Sequence, residues 1–99
     1  MRIAVDAMGG DYAPTEQVRG AIEAAKLDGT EIILVGVEER LKVELSGYDI
    51  EGLPITIVNA SEVIGMDEHP AFAIRKKRNS SIALSMDLVK SGEADGVVA

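Results

Sequence analysis

Four short runs of aliphatic residues constrain the fold of this chain more than any other feature. Short apolar runs without polar alternation are typical of strands that are buried on both faces. Because helical segments separate the runs, the pattern predicts an α/β fold in which helices cover both faces of a parallel sheet. The predicted strands are Arg2–Ala7, Glu31–Gly36, Pro54–Ala60 and Gly96–Ala99. We expect one sheet of at least four strands to bury Ile3, Val5, Ile33, Val35, Ile57 and Val97.

The segments between these runs have the spacing of amphipathic helices. In the first segment, apolar residues from Val18 to Ala25 recur at the i, i+3, i+4, i+7 spacing of one helix face. The last helix has a serine-rich start at Asn79-Ser80-Ser81, which favours an N-terminal cap. The predicted helices are Pro14–Leu27, Val37–Leu45, a segment that starts at Asp67–Pro70 and carries Phe72 and Ile74, and about Ile82–Lys90.

Composition limits the classes of function. The net charge of −7 argues against a nucleic acid partner, and the absence of cysteine excludes disulfides, thiolate metal sites and a cysteine-bound acyl intermediate. We expect no secretory signal, because Asp6 interrupts the short apolar start of the chain, and no membrane span, because no apolar run reaches 18 residues. At 99 residues, the chain is expected to form a single α/β domain or a piece of a larger one.

The first candidate motif is Asp6-Ala7-Met8-Gly9-Gly10-Asp11, at the predicted turn from the first strand to the first helix. Two glycines allow backbone N–H groups to approach an anion closely, and the following helix N-terminus adds a favourable partial charge. The carboxylates of Asp6 and Asp11 would repel an anion unless they are paired or orient other groups. A tight structural turn explains the motif equally well. It is neither a dinucleotide fingerprint nor a P-loop.

The second candidate motif is the basic block Arg75-Lys76-Lys77-Arg78, followed directly by Asn79-Ser80-Ser81. Four of the ten basic residues of an acidic chain are consecutive here. Charge, hydroxyl groups and a helix start together suit phosphate, a phosphorylated cofactor arm or an acidic protein. Helix capping explains the serines without a ligand. Elsewhere no metal-ligand spacing is present, Glu62 is interpreted as a solvated charge, and His69 as a surface or cap residue.

Together the two motifs resemble the bacterial acyl-acyl-carrier-protein:phosphate acyltransferase family. The similarity follows the order of the family across nearly the whole chain, and the combination of the two motifs is specific. One departure is Tyr12, where the family usually has histidine, so a proton-transfer role of that histidine does not carry over. The matching segments are MRIAVDAMGGDYAP at the start, Glu31–Gly36, Ala60–Ile64, Met66–Glu68 and Arg75–Ser81.

The resemblance implies that the chain is the first part of a longer, Rossmann-like enzyme. Its fold would be related to phosphotransacetylases and isopropylmalate-type dehydrogenases. Family members are cytoplasmic, commonly homodimeric and peripherally associated with the inner membrane. Their acyl-phosphate product is used to acylate glycerol 3-phosphate. In the family, a Ser-Ala-Gly-Asn-Thr-Gly-type loop follows the strand that corresponds to the one ending here at Ala99. We therefore expect the 99 residues alone to be inactive.

The implied reaction is attack of a phosphate oxygen on the thioester carbonyl of acyl carrier protein, without a cofactor or a metal. The resemblance identifies no catalytic residue in this chain. The basic residues Arg75 and Arg78 are expected to contact the acidic carrier protein. The expected phosphate-binding residues are Asp6, Gly9, Gly10, Asp11, Lys76, Lys77, Ser80 and Ser81.

Two other functions compete with this interpretation. A sugar-kinase or actin-like phosphotransferase also ends its first strand in Asp-x-Gly-Gly, but there the turn leads into a hairpin strand. In this sequence Pro14-Thr15-Glu16 leads into a predicted helix. The other alternative is a non-enzymatic module that binds an anion or mediates dimerisation.

Overall fold

A four-stranded parallel sheet forms the centre of the molecule. A computed structural model describes residues 1–9, 12–62 and 77–98. The strand order is β3-β2-β1-β4, and every neighbouring pair is parallel. The elements in chain order are β1 (Arg2–Asp6), α1 (Thr15–Asp28), β2 (Glu31–Gly36), α2 (Glu38–Leu45), β3 (Ile55–Asn59), α3 (Ser81–Lys90) and β4 (Gly96–Val98). The predicted helix start at Asp67–Pro70, with Phe72 and Ile74, lies outside the described residues.

Helices cover both faces of the sheet, as the sequence predicts. The helices α1 and α2 pack on one face, where Val18 and Leu41 are fully buried against Leu34 of β2. The helix α3 packs on the other face, with Leu84 and Leu88 against a layer of small residues that includes Ala4. This doubly covered parallel sheet confirms the α/β prediction. It excludes the actin-like alternative, because β1 leads into α1 and both of its neighbours among the described strands are parallel to it.

Helix ends follow local chemistry. The helix α1 ends at Gly29, whose φ of 70° is left-handed and whose N–H donates to the carbonyl of Ala25 at 3.0 Å. Just beyond, the backbone N–H of Thr30 donates to Oδ1 of Asp28 at 3.0 Å, and its hydroxyl also donates to this atom. These hydrogen bonds lower the pKa of Asp28. The start of α2 is capped from another strand, because the side chain of Asn59 accepts from the N–H of Glu38 at 3.0 Å.

The burial of Val97 was predicted incorrectly. This side chain is 40% exposed, while Ile3, Ile33 and Ile57 are partly buried and only Val5 and Val35 are buried as expected. The reason is the position of β4 at the edge of the four described strands. It pairs on one side only, with β1, so an apolar side chain on it lacks a neighbour on its other side.

Candidate functional site

The candidate site lies at the carboxyl end of β1. Asp6 is the last residue of that strand, and only 6% of its surface is exposed. Its Oδ1 accepts a hydrogen bond from the N–H of Met8 at 3.2 Å and another from the hydroxyl of Ser81. Ser81 is the first residue of α3, 75 positions away in sequence. A buried carboxylate therefore joins the turn after β1 to the start of α3.

The turn after β1 fits closely around Asp6. A Cβ atom on Gly9 would lie 3.0 Å from Oδ2 of Asp6, so glycine is the residue that leaves room for the carboxylate. The N–H of Ala7 donates to the carbonyl of Val35 at 2.9 Å, which ties the turn to β2. Gly36, the next residue of β2, must also lack a side chain, because its Cβ would lie 2.9 Å from Cγ of Met8. Contacts on two sides thus fix the backbone between residues 6 and 9.

Serine side chains also make hydrogen bonds at the start of α3. Ser80 is fully buried and caps the helix, since its hydroxyl accepts from the N–H of Ala83 at 3.3 Å. This cap confirms the predicted helix start, although the helix begins at Ser81 rather than at Ile82. The hydroxyl of Ser85 donates to the carbonyl of Ser81 at 2.7 Å. Because the N-terminus of a helix carries a positive partial charge, α3 favours the carboxylate of Asp6 beside it.

The structure brings together some of the predicted site residues and leaves others apart. Asp6, Gly9 and Ser81 meet at the turn, and Ser80 adjoins them as the cap of α3. The part-buried Lys77 leads into this cap, and its carbonyl accepts from the N–H of Ser80 at 3.1 Å. The exposed Arg78 lines a cavity of about 350 Å³ on α3 instead, together with Met86, Asp87 and Lys90. Gly10, Asp11, Arg75 and Lys76 lie outside the described residues.

Comparison with known proteins decides the family. A model of the family described as "Fatty acid synthesis protein" matches residues 1–99, the entire chain. The chain belongs to this family. Its curated relatives include three proteins named phosphate acyltransferase, which agrees with the resemblance stated above. That of Desulforamulus reducens is 56% identical over 98 residues, that of Herpetosiphon aurantiacus 54%, and that of Geobacter sulfurreducens 53%.

These alignments cover nearly all of this chain but only a small part of each relative. Each alignment includes 99% of this chain but only 27 to 29% of the relative. The chain therefore spans less than a third of the length of the curated relatives that it matches. Within its described part, no helix is both long enough and apolar enough to cross a membrane.

Two residues of this family member contribute to the site without having been predicted. Glu62, interpreted from the sequence as a solvated charge, is partly buried, and its Oε1 accepts from the N–H of Asn79 at 3.2 Å. Its own N–H donates to the carbonyl of Asn79 at 3.2 Å. Residues 62 and 79 are thus held side by side next to the start of α3. No local pattern marks such a contact, because the two residues are 17 positions apart.

Gln17 is the second unpredicted residue. Its side-chain amide donates to the carbonyl of Gly9 from the first turn of α1, and its Oε1 is buried without a hydrogen-bond partner. A weak signal was present in the sequence. Gln17 precedes the buried Ala21 by four positions, so helical spacing places it beside the apolar face and close to the turn.

Tyr12, where histidine is usual in the family that the sequence resembles, is exposed. Its carbonyl accepts from the N–H of Glu16 at 3.2 Å, so its backbone takes part in the start of α1. Among the described contacts its side chain has no place at the turn formed by Asp6 and Gly9.

Proposed function

We propose that this chain forms the phosphate-side part of a phosphate acyltransferase. The complete enzyme would form acyl-phosphate from inorganic phosphate and the thioester of acyl carrier protein. One observation carries the proposal: the Asp6–Ser81 hydrogen bond joins the glycine turn to the start of α3. The names of the curated relatives support it, since phosphate acyltransferase denotes an acyl donor and a phosphate acceptor.

The chemistry requires two anionic groups to be held together. A phosphate oxygen attacks the carbonyl carbon of the thioester, the C–O bond forms, the C–S bond breaks, and the leaving thiolate takes up a proton. The site must neutralise the charge of phosphate and hold one of its oxygens close to the carbonyl carbon that it attacks. The N-terminus of α3 and the charge of Lys77 are suited to this task.

Within this scheme, Asp6 is best suited to a positioning role. Its Oδ1 already accepts from Met8 and Ser81, and the carboxylate would repel a phosphate that approached it directly. The hydroxyls of Ser80 and Ser81 are likewise occupied with the cap and with Asp6. We therefore propose that these three side chains shape an anion site formed chiefly by N–H groups and lysine. Gly9 leaves the space that this arrangement needs.

The cellular setting of the proposal rests on the resemblance of the sequence alone. The complete protein would be a cytoplasmic homodimer that associates peripherally with the inner membrane. Acidic carrier protein would be attracted by Arg75 and Arg78. The 99 residues alone would be inactive, since they span less than a third of the length of the relatives.

The test is the formation of acyl-phosphate by the full-length protein from acyl carrier protein thioester and phosphate. Asp6→Asn should lower kcat/KM for phosphate by roughly ten- to a hundredfold, because small displacements of a positioned group have effects of this size. Asp49→Asn is the matched control, since Asp49 is an exposed residue in the turn after α2, away from the site. Ser81→Ala provides a second route to the same contact if Asp6→Asn does not fold.

The outcomes separate the proposal from its alternative. If the Asp6→Asn protein is folded and its kinetics are unchanged, the turn after β1 has no role in phosphate binding, which contradicts the proposal. A full-length protein that binds phosphate but makes no acyl-phosphate would support the non-enzymatic anion-binding module instead.

A further inference from the structure

An apolar groove of about 500 Å³ lies on the face of the sheet that α1 covers. Its walls come from β1, β4 and one side of α1, and include Ile3, Val5, Gly20, Ala21, Ala24 and Val98. In the described part of the chain, α1 and α2 are the helices on this face, and they pack over β1, β2 and β3. Val98 is 56% exposed, so the groove extends to an uncovered strand.

This groove is an incomplete layer of the fold. All-parallel sheets occur almost only where both faces are covered, because their strands are apolar on both sides. Here α3 packs against β4 and β1 on the opposite face, while the α1 face of β4 is bare among the described residues. The groove therefore has the place and the composition of an interior surface.

The topology indicates what kind of segment covers it. The steps from β1 to β2 and from β2 to β3 run in one direction, with α1 and α2 on one face. The step from β3 to β4 runs in the opposite direction, so its right-handed crossover carries α3 on the other face. A strand added beyond β4 would also be reached along the α3 face. A helix that returns to the α1 face would cover the groove.

We propose that the groove seats an apolar helix from the part of the same polypeptide outside residues 1–99. The curated relatives have more than two thirds of their length outside the region that matches this chain, which is ample for such a helix. A Cβ added to Gly20 meets no atom within 4 Å, so a side chain introduced there fits the described structure and can report on what fills the groove.

The experiment compares two introduced thiols in the full-length protein. Gly20→Cys lies in the groove, whereas Glu23→Cys lies on α1 outside it, and both positions are exposed in the 99-residue structure. Each variant is treated with a maleimide under native conditions, and the modified peptide is followed by mass spectrometry. We expect at least tenfold slower modification of Gly20→Cys, unchanged by dilution and abolished in denaturant. Thermal unfolding confirms that both variants are folded.

Three results would overturn the proposal. Equal modification rates would show that the groove is open to solvent in the whole protein. Protection that disappears when the protein is diluted to monomers would assign the groove to a second copy. Protection that appears only after addition of a long-chain acyl thioester would assign it to a ligand.

Discussion

The hydroxyl of Ser81 and the carboxylate of Asp6 are hydrogen-bonded to each other at the point where β1 and α3 converge. This contact joins two motifs that the sequence places at opposite ends of the chain. Both side chains are buried, so neither can exchange its partner for water without opening the site.

The first prediction concerns the energy of this contact. In the full-length protein, Ser81→Ala should destabilise the fold by about 1–3 kcal/mol, because it removes a donor from a buried carboxylate. In an Asp6→Asn background the same change should have a smaller effect. Denaturant unfolding of the unaltered protein, the two single variants and the double variant gives the coupling free energy between the two side chains. Additive effects would show that the hydrogen bond contributes nothing specific.

A second prediction separates capping from phosphate binding at Ser80. Removal of an N-cap hydroxyl by Ser80→Ala should lower stability by about 1 kcal/mol. If the hydroxyl only caps α3, the KM for phosphate should remain close to that of the unaltered enzyme once the protein is folded. A raised KM with unchanged stability would identify Ser80 as a phosphate ligand. Ser91→Ala, at the exposed end of α3, is the control.

The third prediction concerns charge in the basic block. Changing Lys76 and Lys77 to glutamine should lower kcat/KM of the full-length enzyme, and more strongly at low salt. Charge-steered encounter weakens as the Debye length falls from about 30 Å at 0.01 M to about 8 Å at physiological ionic strength. Changing the exposed residues Lys26 and Lys42 to glutamine removes the same charge elsewhere. Equal salt dependence of kcat/KM in the two double variants would show that the basic block has only a structural role.

A fourth prediction tests the packing of the turn. The Cβ added by Gly36→Ala would lie 2.9 Å from Cγ and 3.0 Å from Sδ of Met8. Overpacking of this kind costs about 1–3 kcal/mol. Thermal unfolding should show a lower Tm, and combination with Met8→Ala should recover part of the loss by making room. Gly36→Ala alone with an unchanged Tm would mean that the side chain of Met8 shifts to make room for the methyl group.

The fifth prediction concerns pH and Asp28. The hydroxyl and N–H of Thr30 lower the pKa of this carboxyl in the folded protein. Folding therefore gains stability from Asp28 above the pKa of the unfolded chain and loses it as the pH falls through the lower, folded pKa. Thr30→Val should lower Tm near pH 7, and the difference should shrink as the pH falls below about 4. A difference that is constant with pH would exclude this linkage.

Local pattern was sufficient to predict most of the fold. The strands and the apolar face of α1 were predicted because burial on both sides of a strand and on one side of a helix leaves distinct periodicities. The exposure of Val97 could not be predicted, because burial at an edge depends on which strands are neighbours.

The candidate site was predicted only in its separate parts. The glycine turn and the cap at Ser80 are local features, and their chemistry is visible in the sequence. The bond between Asp6 and Ser81, and that between Glu62 and Asn79, depend on the crossover from β3 to β4. Side chains that meet through the order of strands leave no periodic signal, so these contacts required the three-dimensional structure.

The contact between Met8 and Gly36 also makes the site sensitive to oxidation. Met8 is 7% exposed, whereas Met1 and Met86 are 83% and 48% exposed, so peroxide should reach the latter two sulfurs first. A sulfoxide oxygen on Met8 would add bulk and polarity to a sulfur that already leaves no room for a methyl group on Gly36. Once the turn has opened long enough for Met8 to be oxidised, it should no longer close around Asp6. Sulfoxide formation at Met8 would thus mark molecules whose turn has opened long enough for oxidation.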